Sequence, residues 1–161
     1  MGDDRDRHAA FMRRAIEISR TKMRVGEGGP FGAVIVRDGV IIGEGWNRVL
    51  ATHDPTAHAE IVAIRDACAR LGTYSLTDAE IYATCEPCPM CLTAILWARI
   101  GRLYFANSRI DAAAIGFDDA RFYDEVALPL EQRSLPAERL LADEARAVFA
   151  EWDAKPDKVR Y

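Results

Sequence analysis

Histidine is scarce in this chain, with three among 161 residues, and cysteine hardly less so, with four. Groups able to hold a soft metal are therefore few and easily located. Long apolar runs are missing: none approaches the roughly 20 residues that a membrane-spanning helix needs. The first ten residues, MGDDRDRHAA, are too polar for a secretory leader, and Asp6 stands where a lipidation start needs Ser or Thr. There is no excess of cations. Lys and Arg number 21 against 25 Asp and Glu, a formal charge of −4, which argues against a surface built to neutralise many phosphates. Four cysteines in a chain of this length do not suggest the disulfide framework of a small secreted domain. No repeat, low-complexity tract or linker breaks the sequence. The expectation is a cytoplasmic protein forming a single domain over residues 1–161, long enough to bury its own core.

What is present reads as alternating elements. Residues 5–22 have the apolar spacing of a helix, with Phe11, Ala15, Ile18 and Met23 toward one face and His8 in an exposed leader. GEGGP breaks it. FGAVIVRDGVIIGEG is two short apolar strands around Asp38-Gly39, a strong hairpin signal. HDPTAHAEIVAIRDACARLG predicts a helix starting at Pro55 or Thr56, buried along Ile61, Ile64, Cys68 and Leu71, and ending at Gly72. AEIYAT is a third strand. A second helix begins near Pro87, with Met90, Ala94 and Trp97 on one side, and RLYFAN is a fourth strand. AERLLADEARAVFAEWDA predicts a last helix. Strands alternating with helices imply a three-layer α/β domain.

The chemistry is concentrated in CEPCPMC, residues 85–91. An iron–sulfur run of the ferredoxin type would need a fourth cysteine four positions after Cys91, followed by proline; Ile95 and Leu96 stand there. A redox pair of Cys88 and Cys91 lacks independent support. Zinc fits better. Thiolates three apart on a first helical turn point the same way, and the positive helix end favours their charged form. Upstream, HAE supplies His58 and, two residues on, Glu60. H-x-E followed by P-C-x-x-C is the signature of zinc-dependent nucleobase deaminases. Three protein ligands, His58, Cys88 and Cys91, would leave a coordination position for water, as catalytic zinc requires. Cys85 as a fourth ligand would instead close the site structurally. Cys68 reads as a small buried hydrophobe. Glu60 is the expected proton shuttle between a zinc-activated water and the substrate, with a dipole-stabilised first-turn glutamate as the bland alternative.

GPFGAVIV, HDPTAHAEI and CEPCPMC resemble the cytidine deaminase superfamily in its purine-deaminating branch. The resemblance implies a three-layer α/β/α cytidine deaminase-like fold with a mixed five-stranded sheet. It also implies one Zn2+ per subunit and assembly at least to a homodimer. GEGWNRVLATHDPTAHAEI is similar to the tRNA adenosine deaminases; TCEPCPMC, GFDD and the terminal KVRY are similar to the small guanine deaminases. Physics favours the second. A tRNA enzyme needs a phosphate-binding surface, whereas guanine presents an adjacent pair of donors that a carboxylate accepts. By resemblance, Asp119 contacts the base, Asn47 binds the purine through its amide, and Tyr161 is carried by a C-terminal segment swapped onto the partner subunit. Phe31 and Trp97 are candidate walls for the ring, or simply core. The expected activity is hydrolysis of guanine to xanthine and ammonia. Alternatives are adenosine editing in tRNA, deamination of guanosine, ammeline or isocytosine, and a non-catalytic zinc scaffold.

Overall fold

Asp38 and Gly39 both hold positive φ, 52° and 76°, and so reverse the chain between β1 (Gly32–Arg37) and β2 (Val40–Trp46). Positive φ at both central positions gives a turn whose twist matches that of paired strands, as the sequence predicts. The structure, a computed structural model, describes residues 2–161. β1 also pairs antiparallel with β3 (Glu80–Cys85), and β3 pairs parallel with β4 (Arg102–Asn107). The order is β2-β1-β3-β4, a mixed sheet of four strands among the described residues.

Five strands, the number implied by resemblance, are not found among the described residues. After β4, Ser108 accepts the Asp111 amide while Asp111 accepts the Ser108 amide, a reciprocal cap that starts α5 (Arg109–Ala114). The chain therefore leaves the sheet as helix, and β4 stays largely exposed.

α1 (Gly2–Arg24) covers one face through Ala15 and Ile18, packed with Val34, Val36 and Tyr82. His8 is not in an exposed leader. Its Nδ1 lies 2.6 Å from the Tyr82 hydroxyl and its ring packs on Tyr104. Met23, expected on the buried face, is 41% exposed because the helix is near its end there.

α3 (Ala59–Leu71) and α4 (Pro89–Trp97) cover the other face, burying Ala63, Ala67 and Ile95 against Ala33, Ile35 and Ile81. These two helix-covered faces make the three layers. The short α2 (Val49–Thr52) precedes α3. α3 starts at Ala59, later than expected, because Asp54 takes the Thr56 amide and hydroxyl into a separate turn. Its buried stripe is Ala59, Ala63 and Ala67; Ile64 and Cys68 are only partly buried and Leu71 is exposed. The reason lies in β2. A Cβ on Gly45 would sit 2.1 Å from the Ala59 carbonyl oxygen and 2.4 Å from the Ala63 nitrogen, so strand backbone rests directly on helix backbone. Only small residues allow that approach. Gly45→Ala should therefore force α3 away from the sheet and destabilise the protein by about 1–3 kcal/mol. Denaturant melts would show it, and an unchanged midpoint would contradict the packing described.

The chain divides into one unit up to Tyr123 and a second from Asp124 to Tyr161. α6 (Ala120–Ala127) spans the boundary. The second unit contains α7 (Ala142–Ala154), which begins after Leu141 in left-handed conformation, so AERLL is not helical as expected. No described helix is long and apolar enough to cross a membrane.

Candidate metal centre and active site

His58 is the residue before α3, extended at φ −70° and ψ 158°, and Cys88 stands in the same position before α4. Pro89 occupies the first helical position, where no amide hydrogen is needed, and this fixes where α4 begins. Both residues thus lie just outside their helices, one step beyond the first-turn positions predicted. Cys91, fully buried, is the third residue of α4. His58 Nδ1 lies 3.6 Å from Cys88 Sγ and 3.5 Å from Cys91 Sγ, and one donor atom from each of the three falls within 4.8 Å of the others.

That donor set suits zinc: two sulfurs and one imidazole nitrogen converge at two helix N-termini. The electrostatics agree. The Cys88 thiol is drawn down to about 4, chiefly by its hydrogen bond with Cys91 and then by His58, while Cys88 and burial push the Cys91 thiol up. One thiolate forms readily, and the second needs a cation to join it. His58 is raised, first by Cys88. Cys85 stands outside the set. It ends β3, buried, with its Sγ 3.6 Å from the Ser108 carbonyl oxygen, and burial raises its thiol to about 11.

Glu60, the second residue of α3, is buried, and burial is the main cause that raises its carboxyl above the ordinary range. Contacts with Cys91, His58 and Cys88 also act on it. It therefore stands beside the metal-type ligands, with a proton affinity above that of an exposed carboxylate.

Asn47 is buried at the end of β2. Its Oδ1 accepts the Gly29 and Val49 amides, each at 3.2 Å. Phe31 sets its carbonyl on the Asn47 amide at 3.1 Å and meets Phe117 edge-to-face, with ring centroids 4.9 Å apart. Asp118 and Asp119 divide their work. Asp118 takes the Ala120 amide at 3.0 Å, a structural task. Asp119 is half-buried; desolvation raises it, and the Cys88 charge pushes the same way.

Trp97 is not brought to this group. It ends α4, 68% exposed and six residues beyond Cys91, about 9 Å farther along the helix. Tyr161 belongs to the second unit and is largely exposed. Three residues were missed from the sequence. Phe117 faces Phe31, and its place directly before two aspartates was the available signal. Tyr123 gives its hydroxyl to the Pro87 carbonyl at 2.6 Å, and Arg109 stacks on Tyr123 while pairing with Glu86 at 3.5 Å. Together they anchor the segment that carries Cys88, and no sequence spacing announces such long-range contacts. A separate cleft of about 420 Å³ lies by β2 and α3, lined in part by Trp46, Arg48, Asp54, Arg65, Asp66 and Arg70. Its Asp66–Arg70 and Asp54–Arg65 pairs neutralise one another, and none of the metal-type ligands lines it.

Residues 5–107 match the family described as the cytidine and deoxycytidylate deaminase zinc-binding region. The chain is 47% identical to the guanine deaminase of Bacillus subtilis over 154 residues, covering 96% of this chain and 99% of that protein. The X-ray structure of guanine deaminase from Bacillus subtilis superposes with a TM-score of 0.92, covering 96% of this chain and 98% of that one. A tRNA-specific adenosine deaminase of Haemophilus influenzae is 46% identical, but over 115 residues, or 68% of this chain and 66% of that protein. The second likeness covers about two thirds of the chain, and the first nearly all of it.

Proposed function

Because the chain belongs to the cytidine and deoxycytidylate deaminase zinc-binding family, in its guanine deaminase branch, we propose that it hydrolyses guanine to xanthine and ammonia. The observation that carries this reading is Glu60, buried beside three convergent ligands of the zinc type. His58, Cys88 and Cys91 are the residues that would hold the metal. When bound, zinc lowers the pKa of a water and supplies a nucleophile at neutral pH.

The protein's own part is to move protons and hold the base. Glu60 takes a proton from the attacking water and delivers it to a ring nitrogen next to C2. It then passes the second water proton to the departing amine, so that the C2–N bond breaks with release of ammonia. Its raised proton affinity suits an acid and base used in turn. Asp119 accepts from the ring N–H and the exocyclic amine of guanine, a donor pair that adenine lacks. Asn47 donates its amide to the base, and Phe31 with Phe117 forms an apolar wall. Trp97, exposed in this chain, is set aside as a wall.

The protein acts in this reading as a cytoplasmic homodimer whose C-terminal segment crosses to the partner and brings Tyr161 over its pocket. In support, the second unit leaves Leu140, Leu141, Val148 and Phe149 exposed, apolar surface that a second subunit would cover.

The test is an ammonia-release screen across guanine, guanosine, ammeline and isocytosine, with inosine formation in tRNA followed in parallel. Guanine should be the best substrate. Asp119→Asn should lower kcat/KM for guanine by about a hundredfold, since one charge-assisted acceptor is lost and a donor faces a donor. Inosine formation without ammonia from guanine would overturn the reading. Removal of Tyr161 should raise KM, and no change would sink the swapped lid.

A further inference from the structure

We propose that Glu27 is a positioning residue that fixes the polarity of the Asn47 amide, so that the site reads a carbonyl oxygen on the base. The inference rests on the guanine reading and adds to it what distinguishes one 2-aminopurine from another. Glu27 is the single charged residue of the loop 25–31, which joins α1 to β1 and contains three glycines. Its own backbone is held at both ends: its amide donates to the Lys22 carbonyl at 3.2 Å, and its carbonyl accepts the Ala51 amide at 3.2 Å.

The side chain grips both neighbours of Asn47. Glu27 Oε2 accepts the Trp46 indole N–H at 2.5 Å and lies 3.9 Å from Arg48 Nε, while Oε1 takes Lys22 Nζ at 3.2 Å. Lys22 lies over the Trp46 ring at 4.1 Å and Arg48 at 5.5 Å. The indole hydrogen bond, followed by the Lys22 contacts and Arg48, holds the carboxyl below its ordinary range, so it stays ionised. One carboxylate thus ties the glycine loop to the residues before and after Asn47.

That tie decides what Asn47 presents. Gly28 approaches so closely that a Cβ there would lie 2.3 Å from both the Asn47 carbonyl oxygen and Oδ1. Next to it, the Gly29 amide donates to Oδ1, as the Val49 amide does from the other side. With two donors on Oδ1, a flipped amide would set its NH2 against two N–H groups and lose both bonds. Nδ2 makes no hydrogen bond among the described residues and is the group left for a ligand. Both bonds, at 3.2 Å, are at the long end of the usual range, so they depend on the loop staying in place.

Guanine and 2,6-diaminopurine share the ring and the 2-amino group. They differ at C6, where guanine has an acceptor oxygen and the other a donor amine, and at N1, which carries a hydrogen only in guanine. Asp119 meets that second difference in every variant alike, so a change in the ratio on altering Glu27 reports C6. An Asn47 held with Nδ2 outward favours guanine; one free to flip accepts either.

The experiment measures kcat/KM for both bases in zinc-matched protein, for the wild type, Glu27→Ala, Glu27→Gln, Trp46→Phe and the Glu27→Ala/Trp46→Phe double variant. Glu27→Ala should cut the preference for guanine by about tenfold, a fraction of what a fixed polar mismatch can cost. Trp46→Phe should act the same way, and the double variant should be no worse than the more affected single one, because both remove one contact. Glu27→Gln keeps an acceptor for the indole and should keep most of the preference. An unchanged ratio in Glu27→Ala, an equal loss on both bases, or additive effects in the double variant would overturn the inference.

Amide hydrogen exchange at Gly29 and Val49 decides the clamp without turnover. Faster exchange at both in Glu27→Ala supports it, and unchanged exchange refutes it. If the wild type released ammonia from neither base, the guanine reading would fail while this exchange result still judged Glu27.

Discussion

Glu60→Gln should give a folded, zinc-loaded protein that releases ammonia from guanine at least about a thousandfold more slowly, within the span that general acid–base catalysis supplies. Glutamine matches glutamate in size and can fill the same buried volume beside Cys91. It cannot take a proton from water or deliver one to a ring nitrogen. The wild-type carboxyl is raised mainly by burial, so the charged form is costly there and a neutral amide relieves that cost. Stability should therefore not fall, which separates lost chemistry from lost folding. Metal analysis and a thermal melt alongside the rate measurement complete the test. Activity above about a tenth of wild type would remove Glu60 from the proposed mechanism, because no residue with a proton role of this kind costs so little.

Cys91→Ala should abolish both zinc retention and activity. Cys91 is fully buried, and His58 Nδ1 lies nearly equidistant from it and from Cys88, so its loss leaves two ligands where three converge. Two ligands do not retain a catalytic zinc against dialysis. Cys85→Ala is the control, since its thiol faces the Ser108 carbonyl and stands outside the ligand set. It should keep its metal and most of its activity. Zinc loss in that variant, or retention in Cys91→Ala, would reverse the assignment of the sulfurs. The same logic gives a pH dependence. Zinc binding needs His58 neutral and both thiols ionised, so protons compete with the metal. Metal content should fall as pH drops from neutrality toward about 4, where Cys88 itself takes a proton. The sign follows from ligand protonation alone: more acid, less zinc.

Much of the site was legible in the chain because its chemistry is encoded by short spacing. His58 and Glu60 lie two apart, Cys88 and Cys91 three apart, and each pair sits at a helix start marked by the local sequence. Helix starts, however, were misplaced by two to five residues. The Asp54 turn competes with α3 for the same amides, and a periodicity argument does not weigh that competition. Apolar content misled in a second way. Ile61, Ile64 and Leu71 have the size and spacing of a core stripe, yet Ala59, Ala63 and Ala67 are what the sheet covers. The choice was made by Gly43 and Gly45 on another element, whose bare backbone meets the helix.

By itself, the sequence determined the hairpin at Asp38-Gly39, the alternation of strands and helices, and the set His58, Cys88, Cys91 with Glu60 beside it. Each is a matter of residue type at fixed local separation, where covalent geometry leaves little choice. Tertiary structure alone decided that β4 ends the sheet, that Trp97 stands apart from the site, and that Asn47 turns its oxygen to Gly29 and Val49. Those outcomes depend on which backbone arrives from elsewhere in the chain. A buried amide takes its direction from the groups packed against it, and its own sequence neighbours do not name them.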